Sequence, residues 1–163
     1  MDYDLIVPFI PNLRRYARAL VGDRDAADDL VQDTLERAVR KFHLWRPGDL
    51  RAWLFSIMHN VFVNQLKARK IPLDIEIDDS FAAPTPGATR MDVMDLDRAL
   101  TRLAPEQREV VLLVALEDMS YADVSRALGI PMGTVMSRLS RGRERLRRAM
   151  EGEPERSPLR VVQ

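Results

Sequence analysis

Cysteine is absent from all 163 residues. That excludes disulfides, thiolate metal sites and cysteine nucleophiles, and it fits a reducing compartment. Aromatic residues make up only 6% of the chain, so a core has to be built mainly from Leu, Val, Ile, Ala and Met. No uninterrupted apolar run approaches the ~20 residues of a membrane span. No basic segment followed by an apolar run comes after Met1, so neither a signal peptide nor membrane insertion is expected, and the expected location is cytoplasmic. Net charge is also lacking, at zero, which taken alone argues against a nucleic-acid partner.

The distribution of charge reverses that argument. Between Lys41 and Lys70 lie Arg46, Arg51, Lys67 and Arg69 against Asp49 alone. Between Ser120 and Met150 lie Arg126, Arg138, Arg141, Arg143, Arg145, Arg147 and Arg148 against Asp123 and Glu144. The stretch from Ile71 to Asp97 carries seven acids against Arg90. Two basic blocks separated by an acidic one predict two polyanion-binding surfaces, masked in the total.

Hydrophobic periodicity is helical almost throughout, which predicts an all-α protein of two small helical domains. The first domain, residues 1–70, should hold three helices: about Leu5 to Val21 with Pro8 and Pro11 near its start, Asp23 or Asp25 to about His43, and about Asp49 to Lys70. Residues 71–90, acidic and interrupted by Pro72, Pro84, Pro86 and Gly87, read as a flexible linker. The second domain, residues 91–150, should hold four helices: about Met91 to Leu103, Pro105 to about Glu117, a short one capped by Ser120, and a long one from Pro131 or Met132 to Met150. Residues 151–163 read as a disordered tail.

Tyr121 to Val135 has the form of a helix-turn-helix. Val124, Leu128, Ile130 and Val135 supply its apolar contacts, and Gly129 sits where the chain turns sharply. Ser125 stands where Ala is frequent. On the last helix Val135, Leu139, Leu146 and Met150 fall on one stripe, and Thr134, Ser137, Arg138, Arg141, Arg145 and Arg148 on the opposite one. Such a helix can bury one side and offer the other to a major groove, where arginine bridges guanine O6 and N7 and the later arginines meet phosphates.

The third helix separates similarly. Leu54, Ile57, Met58, Val61 and Phe62 form an apolar arc, while Ser56, Asn60, Asn64 and Lys67 lie together opposite. Amides can read base edges, and Lys67, Arg69 and Lys70 can meet phosphates. Trp45, in the turn before this helix, either stacks on an unpaired base or folds back onto the bundle. His43 and His59 have no ligand-spaced partners and are read as structural. On the second helix Asp28, Asp29, Gln32, Asp33 and Glu36 share one face. Without a second ligand cluster, this face suits a basic protein partner better than a metal, although a solvated face fits too. No metal, cofactor or small-molecule substrate is expected. No set of nucleophile, base and oxyanion donors is visible, so no enzyme is expected.

Taken together, Asp28–Thr34, Leu50–Phe55 with Asn60 following, Leu103–Val110 and Gly129–Leu139 resemble the extracytoplasmic-function class of bacterial sigma factors, the smallest members of the sigma-70 family. The likeness runs from about Leu5 to Met150. It implies a region-two domain and a region-four domain. Asp28, Asp29, Gln32, Asp33 and Glu36 would then dock on core RNA polymerase at the clamp helices of its largest subunit. Asn60 and Asn64, with Ser56 and Lys67 on the same stripe, would read promoter DNA near minus ten, and Trp45 would capture a flipped base. Thr134, Ser137, Arg138, Arg141 and Arg145 would contact the element near minus thirty-five. A cognate anti-sigma factor is a further expected partner. Met136 stands where Lys or Arg is frequent in that class and Ser140 where His or an aromatic is. Gly142 stands where Ala is usual, and it should weaken the helix by up to about 1 kcal/mol. The alternative within the same fold is a sigma-like adaptor that binds only an anti-sigma factor.

Overall fold

The computed structural model describes residues 3–69 and 93–152. Among the described residues there are seven α-helices: α1 (Ile10–Val21), α2 (Arg24–Arg40), α3 (Leu50–Ala68), α4 (Val93–Thr101), α5 (Pro105–Ala115), α6 (Tyr121–Leu128) and α7 (Met132–Met150). No strand occurs among the described residues. The acidic segment read as a linker and the tail from 153 onward lie outside them.

Local chemistry fixes the helix ends. Asp23 and Asp49 cap α2 and α3 by accepting from the Ala26 and Ala52 amides at 2.9 and 3.1 Å, and Ser120 caps α6 through the Asp123 amide at 3.1 Å. These contacts satisfy donors the first helical turn leaves orphaned. The first helix starts later than its periodicity predicts. Tyr3–Leu5 and Val7–Phe9 are 3-10 turns, and Pro8 and Pro11 stand in the first turn of the second of these and of α1, where a proline's missing N–H leaves no helical bond unmade. The second helix also stops early, at Arg40, and Phe42–Leu44 forms a further 3-10 turn.

Helices α1 to α3 form a three-helix unit. Leu13, Tyr16 and Leu20 meet Leu30, Leu54, Phe55 and Met58 in its core, with Tyr16 edge-on to Phe55 at a centroid separation of 5.1 Å. Buried Thr34 satisfies its hydroxyl on the Leu30 carbonyl at 2.7 Å. Helices α4 to α7 form a four-helix unit around Leu103, Val110, Leu113, Val124, Val135 and Leu139. Gly142 does more here than weaken a helix. A Cβ at that position would lie 2.7 Å from Val111 Cγ2, so its absence lets α7 seat closely on α5.

The two units pack on each other, α1 against α4 and α5, and α3 against α6. Several polar groups cross the boundary. Arg108, buried on α5, donates to the Leu100 and Leu103 carbonyls at 2.8 Å each and to the Leu20 carbonyl of α1 at 2.6 Å. It thus closes the open end of α4 and ties it to the first unit. Burial lowers its pKa to about 10, against the opposing pull of Tyr16 and Glu109, which leaves it charged at neutral pH.

Candidate nucleic-acid and polymerase interfaces

The helix-turn-helix is formed by α6, Gly129 and α7. Gly129 takes a left-handed φ of 67°, the conformation glycine adopts without a Cβ penalty. Ser125 uses its hydroxyl to close the turn, donating to the Ile130 carbonyl at 2.5 Å. Val124, Leu128 and Val135 are buried and Ile130 is half-buried. The angle between the two helices is therefore set by side chains that the motif itself supplies.

The exposed stripe of α7 differs from the one expected. Gly133, Met136, Ser137, Ser140 and Arg141 are exposed, whereas Thr134 and Arg138 are half-buried. Arg145 is only 9% exposed, a correction to its expected place among the outward-facing arginines. Val135 and Leu139 stay buried as expected, and the close seating at Gly142 widens the buried arc of α7 on the side that carries Arg145. Positions 138, 142 and 145 are thereby drawn toward α5, and Arg138 lies close enough to buried Glu109 to lower its pKa. Met136, 52% exposed, and Ser140 stand beside Ser137 and Arg141 on the face that is free. Further along the helix Arg147 and Arg148 are held by Glu144, at 2.7 and 3.2 Å, and Arg147 also by Glu151 at 2.8 Å. The C-terminal half of α7 is therefore less basic in effect than in sequence.

On α3, Asn60, Asn64 and Lys67 are exposed, opposite a buried arc of Leu54, Ile57, Met58, Val61 and Phe62. Ser56 is half-buried, and its hydroxyl donates to the Trp53 carbonyl at 2.6 Å, so it stands at the edge of this stripe. Trp45 folds back, stacking on Phe42 at 5.5 Å and 28°, while Phe42 meets Trp53 edge-on at 6.3 Å. One indole face is engaged and the side chain stays half-buried. Beside it Leu44 is 61% exposed.

The acidic face of α2 points outward: Asp28, Asp29, Gln32, Asp33 and Glu36 are all exposed. Gln65 of α3 donates to Asp33 at 3.4 Å. An open groove runs between α1 and α2, lined by Arg14, Arg15 and Arg18 of α1 and by Arg24, Asp28, Gln32 and Glu36 of α2, with Val31, Leu35 and Val39 along it. No cluster of three or more His, Asp or Glu able to hold a metal occurs among the described residues.

The polar contacts between the two units were not foreseen. Glu117 has a fully buried carboxylate that accepts from Asn12 at 3.3 Å and from Arg15 at 3.2 Å. His59 Nδ1 lies 2.7 Å from Glu109 Oε2. Burial raises the pKa of Glu109, and the hydrogen bond to His59 opposes that rise. The available signal was the unbroken apolar run from Val110 to Leu116. A helix apolar all round is covered on every side, so charges flanking such a run are held between neighbours.

These surfaces define a class of protein, an all-helical chain that carries a helix-turn-helix, with a separate polar stripe on α3 and an acidic face on α2. Residues 94–146 match the family described as "Sigma-70, region 4", and residues 6–59 match "Sigma2 domain of PhyR". The ECF RNA polymerase sigma factor EcfG of Rhodopseudomonas palustris is 37% identical over 148 residues, 88% of this chain and 81% of that protein. The RNA polymerase sigma-E factor of Streptomyces avermitilis is 37% identical over 150 residues, 85% of this chain and 79% of that one. Among solved structures, the sigma factor RpoE of Bartonella quintana, in complex with the anti-sigma factor NepR, superposes with a TM-score of 0.73 at 30% identity, covering 93% of this chain and 99% of that one. The chain belongs to the extracytoplasmic-function family of RNA polymerase sigma factors. It therefore associates with core RNA polymerase and directs initiation at promoters carrying minus-ten and minus-thirty-five elements, in a family of non-catalytic transcription regulators.

Proposed function

We propose that three separate surfaces divide this work. The exposed stripe of α7, with Ser137 and Arg141 on it and Thr134 and Arg138 at its margin, reads the minus-thirty-five element in the major groove. Asn60, Asn64 and Lys67 on α3, with Ser56 at their edge, read the minus-ten element, and Trp45 receives an unpaired base on its free face. The acidic face of α2, Asp28, Asp29, Gln32, Asp33 and Glu36, docks on core polymerase. The division into residues 1–70, 71–90, 91–150 and 151–163 belongs to the same reading, as does a cytoplasmic location beside the polymerase. The observation that carries it is the exposure of both reading stripes, each on a helix whose opposite side is packed into core.

Strand opening without ATP has to be driven by binding energy. Each stacked step costs about 1.4 kcal/mol to separate. Only a surface that prefers the opened strand shifts that balance. Trp45 and the α3 stripe are suited to that preference, while α7 binds duplex and fixes register. Polymerase performs the nucleotidyl transfer, and the sigma chain itself catalyses nothing. By likeness to the Bartonella complex, an anti-sigma factor is a further partner.

A second reading rests on the match of residues 6–59 to the Sigma2 domain of PhyR. Under it, the chain would be an adaptor that only sequesters an anti-sigma factor. In vitro transcription with core polymerase on genomic DNA decides between the two. Discrete start sites dependent on this chain support the sigma reading, and failure to form holoenzyme beside a working control sigma overturns it.

A further inference from the structure

Base edges in the major groove present hydrogen-bond donors and acceptors almost everywhere, and one apolar group, the C5-methyl of thymine. A helix that reads such a groove ordinarily meets it with polar and basic side chains. The free face of α7 departs from that pattern. Met136 is 52% exposed and Met132, one turn earlier, 42%. Both stand on a helix already anchored in the core by Val135 and Leu139.

The surroundings of Met136 narrow what it can meet. Ser137, Ser140, Arg141 and Arg143 are exposed around it, and short hydroxyls among cations suit an anionic duplex better than an apolar protein surface. Gly133, on the same face, has nothing within 4 Å of the place a Cβ would take. No packing inside the protein calls for glycine there, and the missing side chain lets the start of α7 approach base edges closely. Met136 also lines a shallow cleft with half-buried Tyr121 and buried Leu139, so the apolar surface extends beyond one side chain. A thioether donates no hydrogen bond and accepts only weakly. Base-edge acceptors and amino groups pressed against it lose water without gaining a partner. The thymine methyl is the one base-edge group for which that contact is favourable.

We infer that Met136 is a specificity-determining residue that reads the methyl group of one thymine in the minus-thirty-five element. The inference rests on α7 being the helix that enters the major groove. Ser137 and Arg141 supply the polar contacts of the same face, whereas Met136 adds a preference that no hydrogen bond carries. That preference separates thymine from uracil, which offers the same donors and acceptors without the methyl.

The test uses holoenzyme formed from the full chain and core polymerase, on a promoter mapped by its own in vitro transcription. Each thymine of the minus-thirty-five element, on either strand, is replaced singly by deoxyuridine, and competition binding compares each duplex with the parent. One replacement should weaken wild-type holoenzyme by about fourfold, the worth of one buried methyl group. Met136→Ala should bind that duplex and the parent equally, and Met136→Leu, equally apolar, should keep the difference. Arg141→Ala should weaken binding to both duplexes and leave their ratio as it is. If no deoxyuridine changes wild-type affinity while Arg141→Ala still weakens binding, the inference falls and the reading role of α7 stands. If Met136→Ala keeps the wild-type ratio, another residue meets the methyl and the inference falls as well. An Arg141→Ala holoenzyme that binds both duplexes like wild type would take α7 away from the DNA, and the inference with it.

Discussion

The seat of α7 on α5 makes a sign prediction that helix propensity alone gets wrong. Replacing glycine by alanine inside a helix ordinarily gains about 1 kcal/mol. At Gly142 the added methyl would lie 2.7 Å from Val111 Cγ2 and 3.5 Å from both the Gln107 Cβ and its carbonyl oxygen. Carbon atoms in good contact sit ~3.5–4.0 Å apart, so the helices have to separate by nearly ~1 Å or Val111 has to turn. Valine in a helix is stiff at χ1, and Val111 is buried. Overpacking of this kind costs about 1–3 kcal/mol. Set against the propensity gain, Gly142→Ala should destabilise the protein by about 1 kcal/mol. Urea unfolding at constant slope reads this directly as a lowered midpoint. Val111→Ala in the same chain removes the clashing methyl, so the double variant should be more stable than the sum of the single effects by more than ~0.5 kcal/mol. A raised midpoint for Gly142→Ala, or strict additivity in the double variant, would refute the account of how α7 is seated.

The same seating separates two arginines that look alike in sequence. Arg141→Ala should lower promoter-dependent transcription by roughly 5- to 150-fold, the equivalent of about 1–3 kcal/mol for one bidentate base contact, while gel filtration shows holoenzyme unchanged. Arg145→Ala should instead lower the unfolding midpoint, because Arg145 is buried; a purely DNA-binding defect there would contradict its position. Asp29→Arg combined with Asp33→Arg should abolish co-elution with core polymerase and leave the fold intact by circular dichroism, and unchanged assembly would remove the docking role of α2. Burial holds Glu109 above the usual carboxylate range, so the folded state keeps its proton to higher pH than the unfolded chain. Its contribution to stability is then most favourable below the unfolded carboxylate pKa, and declines as pH rises from there through the raised folded value. Glu109→Gln should flatten that decline in urea midpoints measured across the acid range, and an unaltered slope would mean that another group is responsible.

What the sequence made legible follows from the range of the forces involved. Helix number, the Asp23 and Ser120 caps, the Gly129 turn and the apolar arc of α3 depend on neighbours within a few positions, and each is readable from spacing. The late start of α1 was legible in principle from Pro8 and Pro11. The close seating of α7 on α5 was not, because it depends on Val111, thirty-one positions away, meeting an absent side chain at Gly142. The same holds for Arg108, Glu109 and Glu117, whose partners Leu20, His59, Asn12 and Arg15 lie on the other domain. Their charge made them look like surface residues, and only the apolar run that follows Glu109 hinted otherwise. Trp45 was open between two readings because a loop aromatic can turn either way. Its stacking on Phe42 depends on where Phe42 ends up after α2 terminates.

The division of surfaces also orders the energetics of initiation. A helix that binds duplex equally before and after melting contributes to capture of the promoter, but it cannot shift the equilibrium between closed and open DNA. Variants on the α7 stripe should therefore change the affinity of the first complex and leave the later melting step nearly untouched. The α3 stripe and Trp45 stand in the other position, since an unpaired base presents a free ring face and edges that duplex hides. On the proposed reading their contribution would grow only as strands separate, and so would lower the cost of opening directly. On the proposed division a chain of zero net charge would serve both tasks because its signs are kept apart: acids on α2 for the polymerase, bases and amides on α3 and α7 for DNA. Moving charge between those faces at constant total should harm initiation more than changing the total on a remote surface, since the partners respond to local potential and not to the sum.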